Sequence, residues 1–165
     1  MNTRVGHGLS CDNDGDVNLE LTAPCLSISA FTGDSVLTVW EECLPAIRLS
    51  SHWSRGEFLP EDVLSLLLAR KALLWVLRFD GELHLTIITE VVDRPRKRIC
   101  RVYALAGKSL GQIWPLAFPH FRDWFQMNRI DEIEAVCRDS VMRRLARIGF
   151  RRTANVLTLN WKELL

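Results

Sequence analysis

The chain has 165 residues, of which 48% are hydrophobic and 25% are charged, and these values predict one globular domain with a sizeable core. A formal net charge of +1 gives no whole-molecule attraction to nucleic acid or anionic lipid, and no apolar run approaches the ~20 residues of a membrane span. The N-terminus lacks the apolar segment of a signal peptide, and five cysteines without C-x-x-C spacing indicate reduced thiols and synthesis in a cytoplasm.

Residues 1–20 are polar and rich in Gly, Asp and Asn, without helical or strand periodicity. Such a segment buries too little apolar surface to offset its ordering entropy, so we predict a flexible arm that is ordered only against a partner. The run Asp12–Asp16 suggests a calcium loop, but the position of its glycine and the missing closing glutamate do not fit an EF-hand. We therefore predict no metal site, and a folded domain over residues 21–165.

The first predicted strand lies within residues 21–31, where apolar and polar residues alternate. The pair Asp34 and Ser35 then offers an N-cap, and apolar residues at helical spacing predict a helix that is weakened or bent near Pro45. A second helix begins at Pro60, because proline suits the first helical position and acidic residues follow it in the first turn.

A meander of strands is predicted after these helices. Residues 72–79 and 82–90 form a hairpin, since the Asp-Gly pair between them strongly favours a tight turn. The basic segment 91–98 turns the chain again, and residues 99–106 return as a third strand, which Gly107 ends.

The last part of the chain is predicted to alternate helices and strands. Residues 109–127 form a helical region rich in Trp and Phe, which Pro115 and Pro119 are expected to break. A strand over residues 130–137, a helix capped at Asp139 or Ser140, and a final strand over residues 155–161 complete the order. This order predicts an α+β fold with a mixed sheet.

Two stretches carry a resemblance to a known family. One is the basic hairpin of residues 89–103, T-E-V-V-D-R-P-R-K-R-I-C-R-V-Y, and the other is the closing unit of residues 140–160, where a short helix is followed by Gly-Phe-Arg-Arg and a strand. The closing unit resembles the end of many folds in the GNAT superfamily of N-acetyltransferases. Taken together, the two stretches resemble a GNAT-like family that is common in tailed bacteriophages and prophages. The resemblance implies a mixed, mostly antiparallel sheet flanked by helices.

The GNAT family holds the pyrophosphate of acetyl-CoA on backbone N–H groups of a loop written Q/R-x-x-G-x-G/A, at a helix N-terminus. The matching residues 105–112 read L-A-G-K-S-L-G-Q, with Gly107 and Gly111 but without the family's spacing or leading residue. Lys108 and Ser109 are further candidates for phosphate binding. In the simpler interpretation, the first glycine ends a strand and the serine caps a helix.

GNAT enzymes commonly use a glutamate on a central strand as general base and a tyrosine near the last helix as general acid. Glu90 and Glu132 are the candidate bases here, although solvated charges at strand edges explain both as readily. Residues 140–150 contain no tyrosine, and the single tyrosine of the chain, Tyr103, is predicted to pack on the sheet. His84 alternates with leucines and is predicted to lie on the polar sheet face. We therefore predict that acetyl transfer has been lost.

Two segments are predicted to contact protein partners, because arginine forks suit carboxylates and phosphates and exposed aromatic residues mark interfaces. Few aromatic residues interleave with the basic ones, so nucleic acid is the least favoured partner. The alternatives are a charged edge that blocks strand pairing, for the hairpin, and core packing, for each aromatic residue. The predicted contact residues are Arg94, Arg96, Lys97 and Arg98 in the hairpin and Trp114, Phe118, Phe121 and Trp124 in the aromatic segment.

The phage family that this chain resembles is encoded among virion structural genes in many genomes. We therefore predict a virion-associated structural protein without a cofactor, made in the host cytoplasm, that binds portal, head–tail junction or tail proteins. The first alternative is an acetyl-CoA-dependent N-acetyltransferase with a divergent cofactor loop. The second is an early phage protein that binds and blocks a host factor.

Overall fold

The computed structural model describes residues 25–54, 56–137 and 139–153, so the predictions for the arm 1–20 and the strand 155–161 lie outside it. The described residues form a sheet whose strands lie in chain order, and every neighbouring pair is antiparallel except the parallel pair β4–β5. The predicted α+β fold with a mixed, mostly antiparallel sheet is confirmed. The strands are β1 (Leu26–Phe31), β2 (Leu73–Phe79), β3 (Glu82–Arg94), β4 (Lys97–Gly107) and β5 (Glu132–Ala135).

Helices cover both faces of this sheet. The predicted first helix begins as a 3-10 helix, and its α-helical part contains Pro45 without interruption. The carbonyl group that loses its donor to this proline belongs to the exposed residue Glu41, where water can satisfy it. The helices are a 3-10 helix (Gly33–Thr38), α1 (Trp40–Trp53), α2 (Pro60–Leu68), α3 (Leu110–Met127) and α4 (Asp139–Arg147).

The two faces of the sheet carry separate apolar clusters, and β2 contributes to both by strand alternation. Leu74 and Val76 pack toward α1 and α2, whereas Trp75 and Leu77 pack toward α3. The Trp75 indole N–H donates to the Thr89 hydroxyl over 2.9 Å, so this large buried ring leaves no polar atom unsatisfied. The sheet is therefore the middle layer of three.

The two prolines of α3 do not break it, contrary to the prediction: the helix runs without interruption from Leu110 to Met127. Ile113, Ala117 and Phe121 recur every fourth residue and bury one face of the helix against the sheet. Both prolines lie on exposed positions, where water can satisfy the carbonyl groups that lose a donor. Burial of the inner face therefore outweighs the local cost.

The two hairpins differ in how well the sequence predicted them. Asp80 and Gly81 both have positive φ, 52° and 81°, as the predicted two-residue turn requires. The basic segment was predicted as a turn over residues 91–98, but β3 and β4 pair as far as Arg94 and Lys97, so the turn is shorter. β5 is also shorter than the predicted strand over residues 130–137.

Candidate functional site

The strands β4 and β5 are paired along only part of β4. Their register runs from Ile99 opposite Glu132 to Val102 opposite Ala135, where β5 ends while β4 continues to Gly107. We call residues 97–102 the closed half of β4 and residues 103–107 its open half. Among the described residues, the edge of the open half that faces away from β3 has no strand partner, so its backbone groups can bind a ligand.

A β-bulge lies at the boundary between the two halves. Ile88 of β3 is opposite Ala104 and the next residue, Thr89, is opposite Val102, so Tyr103 is the extra residue on β4. A bulge bends its strand and strengthens the local twist. As a result, Tyr103 and Ala104 both pack toward α1 and α2, and β4 diverges immediately after its last pair with β5.

A cleft of about 260 Å³ opens where the strands part. One wall is the end of α1 and the loop after it, the floor is β4, and the other walls come from α3, α4 and the residues after β5. Among the described residues that line it, Glu57 and Arg144 are the charged ones. The cleft is thus mainly apolar, with a few polar groups, which is typical of small-molecule sites.

Gly107 ends the open half in a backbone conformation that residues with a side chain rarely adopt. Its φ is +136°, and a Cβ atom there would lie 2.0 Å from the His84 carbonyl oxygen of β3. Lys108 continues the contact, since its backbone N–H donates to the same oxygen over 2.8 Å. The predicted strand end at this glycine is confirmed, and its cause is close packing on β3.

Ser109 occupies the N-cap position of α3, but its side chain makes no capping hydrogen bond and its backbone is left-handed, with φ of 62°. The predicted N-cap position is therefore confirmed, but the Ser109 hydroxyl does not form the cap. Its carbonyl oxygen instead accepts from the N–H groups of Gln112 and Ile113, each over 3.0 Å. Ser109 lies between the cleft-lining residues Gly107 and Leu110, and its hydroxyl, which makes no capping hydrogen bond, remains available to a ligand.

The N-terminus of α3 offers further donors to the cleft, which Leu110 lines. Among the described residues, the backbone N–H groups of Leu110 and Gly111 have no acceptor, and a Cβ at Gly111 would meet nothing within 4 Å. The nearest predicted cation, Lys108, pairs with Glu82 over 3.2 Å, and both side chains are largely exposed. Helix dipole and open N–H groups together favour an anion here.

The predicted bases do not line the cleft. Glu90 pairs with Arg101 over 2.9 Å, and Arg101 also reaches Glu134 over 3.1 Å. Glu132 pairs with Lys97 across the β4–β5 edge. Both glutamates therefore pair with strand cations of the closed half. Glu132, with 55% of its side chain exposed, is a solvated edge charge, whereas Glu90 lies on the inner strand β3 and is 25% exposed.

The predicted basic contact residues are mostly engaged within the domain. Arg94 pairs with Glu134 over 2.8 Å, Lys97 pairs with Glu132, and Arg98 lies 3.4 Å from Asp93. Arg96, at the turn, has no ion pair with any described residue. These pairs leave little uncompensated positive charge on the hairpin, so the contact role stays a prediction.

The four aromatic contact residues divide by burial. Phe121 is only 4% exposed and its ring meets Trp75 at 5.0 Å, so it is a core residue and not the predicted surface anchor. Trp124 is half-buried against Trp75 at 5.1 Å, whereas Phe118 is 41% exposed. Trp114 lines the cleft, which the sequence did not predict.

Sequence reasoning missed the wall of the cleft formed by α1 and the following loop. Trp53, Glu57 and Phe58 line this wall, and the ring of Phe58 lies 4.9 Å from that of Tyr103. Tyr103 was predicted to pack on the sheet because it is an aromatic residue in mid-strand, and it does pack against the cluster under α1 and α2; its place in the cleft depends on the bulge, which the sequence does not show. Burial raises the pKa of Tyr103, and the carboxylates of Glu90, Asp62 and Glu57 raise it further.

No protein-family model and no curated protein matches the sequence significantly. Solved structures do. A ribosomal-protein-alanine N-acetyltransferase from Brucella melitensis biovar Abortus 2308 superposes with a TM-score of 0.62 at 15% identity, over 82% of this chain and 99% of that one. A predicted acetyltransferase with acetyl-CoA from Clostridium acetobutylicum superposes with a TM-score of 0.57 at 13% identity, over 84% and 98%.

An aminoglycoside acetyltransferase from an uncultured soil metagenomic sample, in complex with sisomicin, gives a TM-score of 0.57 at 13% identity, over 81% of this chain and 93% of that one. The domain has the GNAT fold. At these identities the likeness concerns the fold alone. Within the described ranges, no helix is long and apolar enough to cross a membrane and no cluster of His, Cys, Asp or Glu could hold a metal ion.

Proposed function

We propose that this GNAT domain is an acetyl-CoA-dependent N-acetyltransferase. One observation carries the proposal: β4 is bent away from β5 at the Tyr103 bulge, and the resulting cleft runs along the open half of β4 to the N-terminus of α3. Catalytic function belongs to sites and not to folds, so this local geometry supports the proposal more strongly than the structural neighbours do.

The residues at the cleft fit the two polar parts of coenzyme A. Its pantetheine arm carries amide groups, and the unpaired edge of the open half offers backbone donors and acceptors of the kind that bind an added strand. Its diphosphate fits the open N–H groups of Leu110 and Gly111, with Ser109 and Lys108 beside them. The small side chains of Ala104 and Ala106 leave the strand edge accessible.

Acetyl-CoA supplies an acetyl group activated as a thioester: the amine nitrogen bonds to the carbonyl carbon, the C–S bond breaks, and coenzyme A leaves as a thiolate that takes up a proton from solvent. The acceptor amine must lose a proton before it can attack, and a carboxylate in the cleft is suited to take it. Among the described lining residues, Glu57 is the one carboxylate. We therefore assign the base role to Glu57 in place of the predicted Glu90 and Glu132, which are held in ion pairs outside the cleft.

The test is calorimetry of acetyl-CoA binding with a matched pair of variants at Gly111. Gly111→Glu puts a negative charge at the helix start, where it stabilises the helix but repels a diphosphate, whereas Gly111→Ala adds only a methyl group in open space. We expect acetyl-CoA to bind the wild type and the Ala variant alike, and the Glu variant about tenfold more weakly. Absence of binding to the wild type would refute the proposal.

A second candidate function is the predicted virion-associated structural role, with protein partners at the portal, head–tail junction or tail. One observation favours it: α3 exposes Leu116 and Phe118, 49% and 41% exposed, on residues that do not belong to the cluster packed on the sheet. Mass spectrometry of purified virions of the encoding phage tests this role. A fixed copy number that Phe118→Ser reduces, with unchanged melting temperature, is expected; absence of the chain from the particles contradicts it.

A further inference from the structure

The charges of the cleft are separated onto different walls. Glu57 lies in the loop between α1 and α2, whereas Arg144 lies on α4, and these are the charged residues among the described lining. The N-terminus of α3, where the proposed function places the coenzyme diphosphate, is separate from both walls. The wall that carries Glu57 is therefore the part of the cleft that selects the second substrate, and a carboxylate there favours a cation.

The surroundings of Glu57 are aromatic and apolar. Leu49 and Trp53, at the end of α1, line the cleft while 55% and 53% exposed, and the rings of Phe58 and Tyr103, which also line it, meet at a tilt of 40°. Exposed large apolar side chains that line a concave site mark a binding surface, because covering them releases water. Aromatic faces also attract an ammonium group.

A negative potential reaches the floor of this wall. The carboxylates of Glu90, Asp62 and Glu57 act on the Tyr103 phenol and raise its pKa, after burial, which is the larger cause. Arg101, which pairs with Glu90, pairs with Glu134 as well, so its single charge does not neutralise both carboxylates. A cationic ligand is thus favoured near Tyr103 and an anionic one is disfavoured.

We propose that the acetyl acceptor is a small primary amine whose ammonium group pairs with Glu57 and whose apolar or aromatic stem packs on Trp53 and Tyr103. This inference rests on the proposed acetyltransferase function. A polyhydroxylated amine fits less well, since its hydroxyl groups would lose water against Leu49, Trp53 and Phe58 without gaining partners. The polar groups of this wall are few: besides Glu57 and Tyr103, it has the hydroxyl groups of Ser50 and Ser54, and the Ser50 oxygen is buried.

The test measures, by calorimetry, the binding of 2-phenylethylamine to the full chain in the absence of coenzyme. Two analogues separate the features: 2-phenylethanol keeps the stem without the charge, and glucosamine keeps the amine with a hydroxylated ring. We expect the amine to bind about tenfold more tightly than either analogue. Glu57→Gln and Trp53→Ala should each weaken it about fivefold, and Glu61→Gln, an exposed carboxylate of α2 outside the cleft, should not.

Equal binding of 2-phenylethanol or glucosamine would overturn the inference, and so would unchanged affinity in Glu57→Gln, which alters an exposed side chain without changing its size. Parallel calorimetry with acetyl-CoA separates this inference from the proposed function. Binding of acetyl-CoA without binding of the amine refutes the acceptor inference alone. Binding of the amine with the expected variant pattern, but not of acetyl-CoA, supports the amine site and refutes acetyl transfer.

Discussion

The two halves of β4 differ in composition and in what covers them. In the closed half, Lys97, Arg98 and Arg101 each pair with an acidic residue of β3 or β5. The open half, Y-A-L-A-G, contains no charged residue and has small side chains at alternate positions. At a single bulge, β4 therefore changes from a segment that is paired on both sides to one whose edge is accessible.

This difference shows how one strand can be structural in one part and accessible in another. The charged side chains of the closed half form cross-strand ion pairs with β3 and β5, where β4 is paired on both sides. The open half has no such charges, and its small residues let another molecule approach the backbone. Under the proposed function, the charge distribution along β4 marks the segment at which acetyl-CoA takes the place of a strand partner.

The largest predicted effect is at Gly107, where the open half ends. Gly107→Val should destabilise the domain by about 3 kcal/mol or more, because the backbone is left-handed and the new Cβ would collide with the His84 carbonyl oxygen. Urea denaturation measures the change. Since the fold itself is damaged, lost acetyl-CoA binding in this variant would say nothing about phosphate contacts. If the variant unfolded at the same urea concentration as the wild type, β4 would not end against β3 as described.

The second prediction tests whether the side chain of Cys100, in the closed half, is excluded from water. Burial raises the pKa of the Cys100 thiol to about 11, and a hydrogen bond with Thr89 lowers it only in part. Because the folded pKa lies above the unfolded value, this contribution to stability is present below about pH 8.5 and is lost as the pH rises toward 11. Between pH 8 and pH 10, wild type should lose about 2 kcal/mol more free energy of unfolding than Cys100→Ala. Parallel losses in both proteins would contradict this exclusion from water.

The fold was predictable because its elements follow local rules. The Asp80–Gly81 turn, the proline start of α2 and the apolar repeat of α3 are all readable from spacing. The prediction that prolines would break α3 was wrong because a local cost was weighed without the burial of Phe121 and its neighbours. Tertiary packing decided that case.

The candidate site was less predictable. Gly107 lines the cleft and Gly111 lies in the first turn of α3, and their local sequence signatures made both positions readable, but their role in cofactor binding stays a prediction. Glu57 and Trp53 could not be found, since their approach to Tyr103 depends on how the loop after α1 folds over β4. The basic hairpin looked like a charged contact surface because its acidic partner Glu134 is distant in sequence.

The third prediction concerns Arg101, which joins β4 to both neighbouring strands. Its side chain is 34% exposed and pairs with Glu90 and Glu134, so Arg101→Met should cost roughly 0.5–1 kcal/mol at low salt and less at high salt. Lys108→Met is the matched control, because its single pair with Glu82 is more exposed and should contribute almost nothing. Thermal melts at two salt concentrations measure both. An equal loss of stability in the two variants would show that the ion pairs of the closed half stabilise the domain no more than the exposed pair of Lys108 does.

The smallest predicted effect is at Gly111, in the first turn of α3, where the backbone is not left-handed and a Cβ would meet no atom within 4 Å. Gly111→Ala should stabilise the domain by about 0.5 kcal/mol, because alanine restricts the unfolded chain and favours the helix. Urea denaturation checks the gain, and calorimetry should show unchanged acetyl-CoA affinity. A glycine that is dispensable for stability but sensitive to charge, as in Gly111→Glu, is what an anion site at this helix start requires. Destabilisation by alanine would instead show that this position is held by packing, like Gly107, and would remove the helix start from the proposed binding surface.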